Sequence, residues 1–314
     1  MSNLTLRILV AIVAIPIILL VSRVGGYSFF LLVAAISGIA LFEFYGLAKA
    51  KGISPHVGVG VVFGLCINAV FIFDRLKYAV LAALEPVGLT LPLPTIAQLL
   101  LIVMLIFVPF VLVVELFRKK DSALLNVGMT VLGVCYVSLF LGSLIGLREL
   151  FVPGDFPVTR YFDVIGANIP PAVGATIDRW GGMTVATVFA SIWLCDSAAY
   201  FAGLGFGKHK LMERVSPNKT WEGAIAGFVV AVVSFMVAKV MLLEYMTMSS
   251  AVICGCIVGV FGQIGDMVES LIKRDVGVKD SSTLIPGHGG MLDRFDSLIF
   301  VSPLIYLYLD FIVF

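Results

Sequence analysis

Nine long apolar runs constrain this 314-residue chain more than any other feature of its sequence. They fall at about 8–22, 27–47, 57–73, 96–117, 125–147, 182–204, 222–243, 250–272 and 297–314. A helix of about 20 apolar residues crosses the roughly 30 Å hydrocarbon layer of a bilayer. Hydrophobic residues make up 60% of the chain and the mean hydropathy is +1.09. Charged residues are 13%, about half the roughly 25% of a soluble domain. The sequence therefore predicts an all-α, polytopic transmembrane helical bundle of about nine spans. Residues 76–94, with Pro86, Pro92 and Pro94, read as a loop or re-entrant piece rather than a tenth span.

Basic residues are divided unequally between the two ends of these spans. One side holds Arg7, Lys49, Lys51, Arg118, Lys119, Lys120, Lys208, Lys210, Arg214, Lys219, Lys273, Arg274, Lys279 and Arg294. The other holds Arg23, Arg75, Lys77, Arg148, Arg160 and Arg179, and Lys239 lies inside a span. Basic loops stay in the cytoplasm. The amino terminus and the polar loops at 205–221 and 273–296 are expected there, and the carboxyl terminus outside. A formal net charge of +1 conceals this asymmetry. Val21-Ser22-Arg23 lacks a small-residue cleavage pattern, so the first run is read as a span and not a leader.

The chain divides into N-terminal transmembrane helices (1–147), an extracytoplasmic loop (148–181) and a C-terminal transmembrane region (182–314) that carries nearly all the candidate chemistry. The five cysteines fall in predicted spans without zinc-type spacing and read as packing residues. GxxxG spacings at Gly60/Gly64, Gly142/Gly146, Gly223/Gly227 and Gly255/Gly259 permit close helix contact and are compatible with a homodimer. No nucleic-acid partner is expected.

Within the last third, Asp196 and Asp266 sit inside spans. An ionised carboxylate there costs several kcal/mol unless it faces a partner, water or a cation. Asp266 lies roughly 9 Å and Asp196 roughly 12 Å from the cytoplasmic ends of their helices, depths that suit one inward-facing cavity. The alternative for each is a buried structural hydrogen bond. Asp266, Glu269, Ser270 and Lys273 follow at spacings of three and four, so much of this set shares a helix face. Glu269 is also placed to pair with Lys273. Asp293 and Asp296 share a face if the last helix begins by then. Hard carboxylate oxygens without a His/Cys cluster suit Mg²⁺ rather than zinc.

Ser270–Asp296 packs eight acidic and basic residues into 27 positions around a Pro-Gly-His-Gly-Gly turn. A second polar loop carries Gly203, Gly205 and Gly207 before Lys208, and such alternating glycines can expose backbone N–H groups to phosphate. It is no P-loop, because His209 follows Lys208. Ser216-Pro217-Asn218-Lys219-Thr220 then leads into the next span, where a helix N-terminus adds positive potential. Lys208, Lys210 and Arg214 read alternatively as anchors to anionic lipid. His288, between two glycines, reads as a hydrogen-bonding residue or a base. Glu43 and Glu115, near helix ends, are expected to contact basic loop residues, and Lys239 and Glu244 to reach the opposite interface.

Ser270-x-x-Lys273-Arg274, then Lys279-Asp280, then Pro286-x-His288-Gly289-Gly290-x-x-Asp293-Arg294-x-Asp296 resembles the signature of the phosphatidate cytidylyltransferases, or CDP-diacylglycerol synthases. Asp196-x-x-Ala199-Tyr200, Ser216–Gly223 and Gly265-Asp266 resemble the bacterial branch. The motifs cover roughly residues 190–300. This resemblance implies transfer of CMP from CTP to phosphatidic acid with Mg²⁺, in a bacterial cytoplasmic membrane with the site facing the cytoplasm. It implies that Asp266 and Asp293 hold metal and that Asp296 is an additional or outer ligand; the number of ions, and whether a monovalent cation joins them, stays open. Lys273 joins the catalytic set, while Asp196, Lys208, Asn218, Lys219, Ser270, Arg274, Lys279, His288 and Arg294 are expected to bind substrate. A cation-coupled transporter should show interrupted helices in related halves, and no such duplication is visible. Another CTP-using membrane transferase would share the phosphate chemistry, but the turn at 286–296 favours the cytidylyltransferases. The DGxxAR element of CDP-alcohol transferases is absent.

Overall fold

The structure is a computed structural model that describes residues 3–84, 93–120, 122–152, 156–162, 169–285, 287 and 289–314. Its elements run α1 (Asn3–Val24), α2 (Gly26–Ala50), α3 (Val57–Val70), α4 (Phe73–Leu84), α5 (Ile96–Leu116) and α6 (Ala123–Glu149). They continue with α7 (Val158–Tyr161), α8 (Pro171–Phe206), β1 (Lys210–Met212), β2 (Ser216–Thr220), α9 (Trp221–Met241), α10 (Met248–Val276) and α11 (Leu292–Val313). Among the described residues seven helices are long and apolar enough to cross a membrane, and Val10–Val24 and Val57–Val70 form shorter apolar helices. Each apolar run of the sequence is thus a helix, and the chain is an all-α polytopic membrane protein.

Local chemistry explains the ends of these helices. Thr95 and Gln98 form a capping box at the start of α5, each bonding the other's backbone N–H. Pro171 opens α8 at a position whose N–H has no helical partner to lose. Thr220 caps α9 by accepting from the Gly223 N–H at 3.2 Å. Gly277 ends α10 at φ +77°, a left-handed conformation that glycine adopts without steric cost.

Four boundaries differ from expectation. Part of 76–94 is helical, since α4 reaches Leu84, and residues 85–92 lie outside the described residues. The loop expected at 148–181 is shortened, because α8 begins eleven residues early, at Pro171. The 205–221 loop contains an antiparallel hairpin, with Lys210 opposite Thr220 and Met212 opposite Ser216. Finally, α10 runs on to Val276 and α11 starts at Leu292, so Asp293 and Asp296 do lie on a helix. Polar residues at helix ends continue a helix when neighbouring elements satisfy them, which hydropathy alone does not register.

The bundle packs tightly through its glycines. A Cβ on Gly60 or Gly64 would strike Tyr45 or Ser138, and one on Gly142 or Gly146 would strike Phe71. Gly223 and Gly227 bring α9 against Ala199 and Cys195 of α8, while Gly255 and Gly259 bring α10 against Val232 and Phe228 of α9. All four GxxxG pairs therefore serve contacts within the chain. The five cysteines are free thiols.

At the end of the bundle opposite the C-terminus of α8, Arg148 is fully buried. Its guanidinium donates to Asp178 at 2.6 Å, to the Ser22 carbonyl at 3.0 Å and to the Arg23 carbonyl at 3.3 Å, tying α6 to α8 and α1. Next to it, Glu149 accepts from Arg75 at 2.8 Å. Glu244 pairs with Arg179 at 3.3 Å.

Candidate active site

The C-terminal end of α8, the hairpin, the N-terminus of α9, the polar half of α10 and the first turn of α11 surround a cavity of about 820 Å³. Asp196, Asn218, Lys219, Asp266, Lys273, Asp293, Arg294 and Asp296 all line it, although they come from four separate stretches of chain. Ser270 stands behind Asp266, its hydroxyl 3.4 Å from the carboxylate. Lys208, Arg274 and Lys279 do not line the cavity. Arg274 instead donates to the Val278 carbonyl at 3.1 Å and secures the end of α10. His288 lies outside the described residues.

Two carboxylate–lysine pairs organise the cavity. Lys219 Nζ lies 2.5 Å from Asp266 Oδ2. Lys273 Nζ bridges Glu269 Oε2 at 2.5 Å and Asp293 Oδ1 at 2.7 Å. Glu269 is thus the structural partner that its spacing from Lys273 allowed. Asp196, Asp266 and Asp296 interact electrostatically with one another, and Lys219 also acts on Asp196 and Asp296. Three acids thus share the field of one ammonium beside open volume.

The Asp293 carboxylate is held from several directions. Besides Lys273, it accepts from the Ser281 N–H at 2.9 Å, the Ser281 hydroxyl at 3.0 Å and the Gly290 N–H at 2.6 Å. Asp266 and Asp293, read from the sequence as a metal pair, are here each neutralised by a lysine. Among the described residues no group of three or more His, Cys, Asp or Glu side chains is gathered closely enough to hold a metal ion.

Sequence reasoning assigned Glu43 a basic partner, and the structure corrects this. Glu43 is buried on α2 and accepts from the Ser281 hydroxyl at 3.0 Å, the Ser282 hydroxyl at 2.6 Å, Met291 N–H at 3.0 Å and Leu292 N–H at 2.8 Å. It satisfies the opening N–H groups of α11 and clamps the segment that orients Asp293. The available signal was an acid within the last turns of an otherwise apolar span. Glu115 does find the expected basic partners, His56 at 2.6 Å and Arg118 at 3.2 Å.

The glycine-rich approach to Lys208 is not a phosphate nest. Gly203 and Gly205 lie in the last turns of α8, and the Gly207 N–H donates to the Gly203 carbonyl at 3.1 Å. Lys208 N–H donates to Glu222 at 3.1 Å, and His209 Nδ1 pairs with the same carboxylate at 2.6 Å. Gly203 and Gly207 let α8 approach the Thr220 turn, since a Cβ on Gly207 would meet Thr220 Cγ2 at 2.7 Å, whereas one on Gly205 would meet open space. Lys210, Gln263, Asp280 and the aromatic rings of Trp193 and Tyr200 complete the cavity wall.

Comparison with known proteins identifies the family. The family model described as "Cytidylyltransferase family" matches residues 5–312. A phosphatidate cytidylyltransferase of Bacillus subtilis is 30% identical over 307 residues, covering 98% of this chain and 97% of the relative. One from Synechocystis is 29% identical over 311 residues, 96% of this chain and 95% of the relative. One from Staphylococcus saprophyticus reaches 45% identity over 117 residues, 37% of this chain and 45% of that one. With a match that runs nearly from end to end, the chain belongs to the cytidylyltransferase family.

Proposed function

We propose that this protein transfers CMP from CTP to phosphatidic acid, giving CDP-diacylglycerol and pyrophosphate. The single observation that carries the reading is the cavity, where Lys219, Lys273 and Arg294 stand beside Asp196, Asp266, Asp293 and Asp296. Such a site suits two phosphorylated substrates. The names of the full-length relatives point to the same reaction.

The phosphate of phosphatidic acid is already an anionic nucleophile. One of its oxygens forms a bond to the α-phosphorus of CTP as the bridge to the β-phosphorus breaks, and pyrophosphate leaves in line with the attack. The protein's task is then positioning and charge neutralisation. Lys219, Lys273 and Arg294 bind phosphate oxygens, and Asn218 orients the same ligand from the hairpin. Ser270 orients Asp266, while Glu43 and Ser281 keep Asp293 in place. For a divalent cation Asp266 and Asp293 are the proposed ligands, two hard carboxylates that substrate phosphate oxygens and water would supplement, each now paired with a lysine ammonium. Asp196 and Asp296 are close enough to Asp266 to share a cation's field. Mg²⁺ held there would draw negative charge from the phosphate oxygens.

We place this site at the cytoplasmic face of a bacterial inner membrane, following the distribution of basic residues. Purified protein given radiolabelled CTP, phosphatidic acid and Mg²⁺ should yield lipid-extractable label and release pyrophosphate. Extracts without label in the lipid phase would overturn the activity. For orientation, single cysteines at Ser216 and Ser282, in a background without the native five, should react with an impermeant thiol reagent only once the inner face is opened. Labelling in sealed cells would reverse the topology.

A further inference from the structure

A second cleft, of about 560 Å³, opens where α2 and α5 end and α3 and α6 begin. It shares no lining residue with the candidate active site. Lys49, Arg118 and Lys120 line it, together with the Ser54–His56 turn and Gly58. A buried polar network builds its wall. Glu115 accepts from Asn126 at 2.7 Å and pairs with His56 at 2.6 Å, and both Glu115 and His56 are less than 10% exposed. Arg118 donates to the Ser54 carbonyl at 2.8 Å and to Glu115 at 3.2 Å. Ser54 N–H donates to Asn126 at 2.8 Å, and His56 N–H to Thr130 at 2.9 Å. Three chain segments thus fix this cleft, which a merely solvated loop would not require.

Its charge is unbalanced. Glu115 is committed to His56, Arg118 and Asn126, while Lys49 and Lys120 make no ion pair with any described residue. The positive N-terminal end of α3 adds to the potential. Beside Arg118, the side chains of Leu116 and Phe117 are 78% and 81% exposed, and Leu124 across the gap is 85% exposed. In a membrane protein such residues face acyl chains. The Lys51–Asp275 pair, at 2.9 Å, puts the cleft at the same end of the bundle as the polar end of α10.

A basic, rigid-walled head pocket with apolar flanks matches an amphiphile. We propose that this cleft binds the phosphate of an anionic phospholipid, with its acyl chains running down the exposed apolar side chains of α5 and α6. The site is separate from nucleotide and phosphatidate turnover, so it stands or falls independently of the proposed reaction.

The test uses full-length protein in detergent titrated with phosphatidylglycerol, with zwitterionic phosphatidylcholine as the control of zero net charge, and bound lipid counted by native mass spectrometry. Phosphatidylglycerol should bind in preference, and Lys49→Gln with Lys120→Gln should weaken that binding by about tenfold or more, since each lysine near an anionic head contributes measurably. Millimolar inorganic phosphate or pyrophosphate should compete poorly, because neither carries acyl chains. Equal lipid binding by wild type and double variant would overturn the site, and effective competition by free phosphate would overturn its assignment to lipid. A photoreactive phosphatidylglycerol in nanodiscs tests the wild type directly. Crosslinks should fall within 49–59 or 116–124, and crosslinks confined elsewhere would refute the proposal even if the double variant failed to fold.

Discussion

The two ends of α8 treat buried charge in opposite ways. At one end Asp178 meets Arg148, whose guanidinium also bonds two backbone carbonyls of the α1 end. At the other, about 27 Å along the helix, Asp196 faces Asp266 and Asp296 across a cavity of about 820 Å³. The first cluster fastens three helices together. The second sets three acids and Lys219 around open space that a ligand can enter. A buried ion in a membrane protein is therefore not by itself a sign of chemistry. What distinguishes a site from a fastener is unspent charge beside open volume.

The largest effects should come from the open end. Asp266→Asn and Asp293→Asn preserve size and remove charge, and each is expected to slow turnover at least about a hundredfold, or ~2.7 kcal/mol of barrier. Circular dichroism should stay near wild type, while Asp293→Asn should melt lower because Lys273 and the Ser281 and Gly290 donors lose a charged acceptor. Near-normal activity at limiting Mg²⁺ in either folded variant would remove that residue from the site.

Arg148→Met reverses the pattern. Losing charge-assisted bonds to Asp178 and the α1 carbonyls should destabilise the protein by about 2 kcal/mol, read as a lower melting temperature in detergent. Half-exposed Asp178 stays solvated, which limits the cost. Turnover per folded molecule should hold, and a selective fall in turnover would erase the contrast between the two ends.

Glu43→Gln sharpens the comparison from within the site. The amide keeps the shape but is a weaker acceptor for the four donors of the 281–292 segment, so turnover should fall about tenfold, on the scale of one charge-assisted hydrogen bond. Glu43→Asp should restore part of it, as the charge returns. Stability loss with unchanged turnover would make Glu43 a fastener like Arg148.

The smallest effect is expected at Lys51–Asp275. Both side chains are exposed, and such pairs contribute about 0–1 kcal/mol. Lys51→Gln should leave melting within a degree or two of wild type, and a large shift would show that this contact couples the halves of the bundle.

Much of the cavity was legible in advance because its residues defy their surroundings. Asp196 and Asp266 stand out in apolar spans, and the spacing of Asp266, Ser270 and Lys273 places them together on α10. Lys208 misled because its glycines resemble a phosphate loop, whereas Gly203 and Gly207 pack closely against Thr220. Glu43 was misread because its partners are backbone N–H groups and hydroxyls some 240 residues distant, and nothing local to α2 announces them.

By itself the sequence determined the medium, the helices and the family signature. These depend on apolar runs long enough to span a bilayer and on short motifs, both local properties of the chain. Only the tertiary structure decided which ions are spent and which are free. It paired Lys219 with Asp266, Lys273 with Asp293 and Glu269, and Glu43 with the start of α11. Such choices follow from through-space electrostatics at a few ångströms in a medium of low dielectric, where the nearest partner governs and separation along the chain has no bearing.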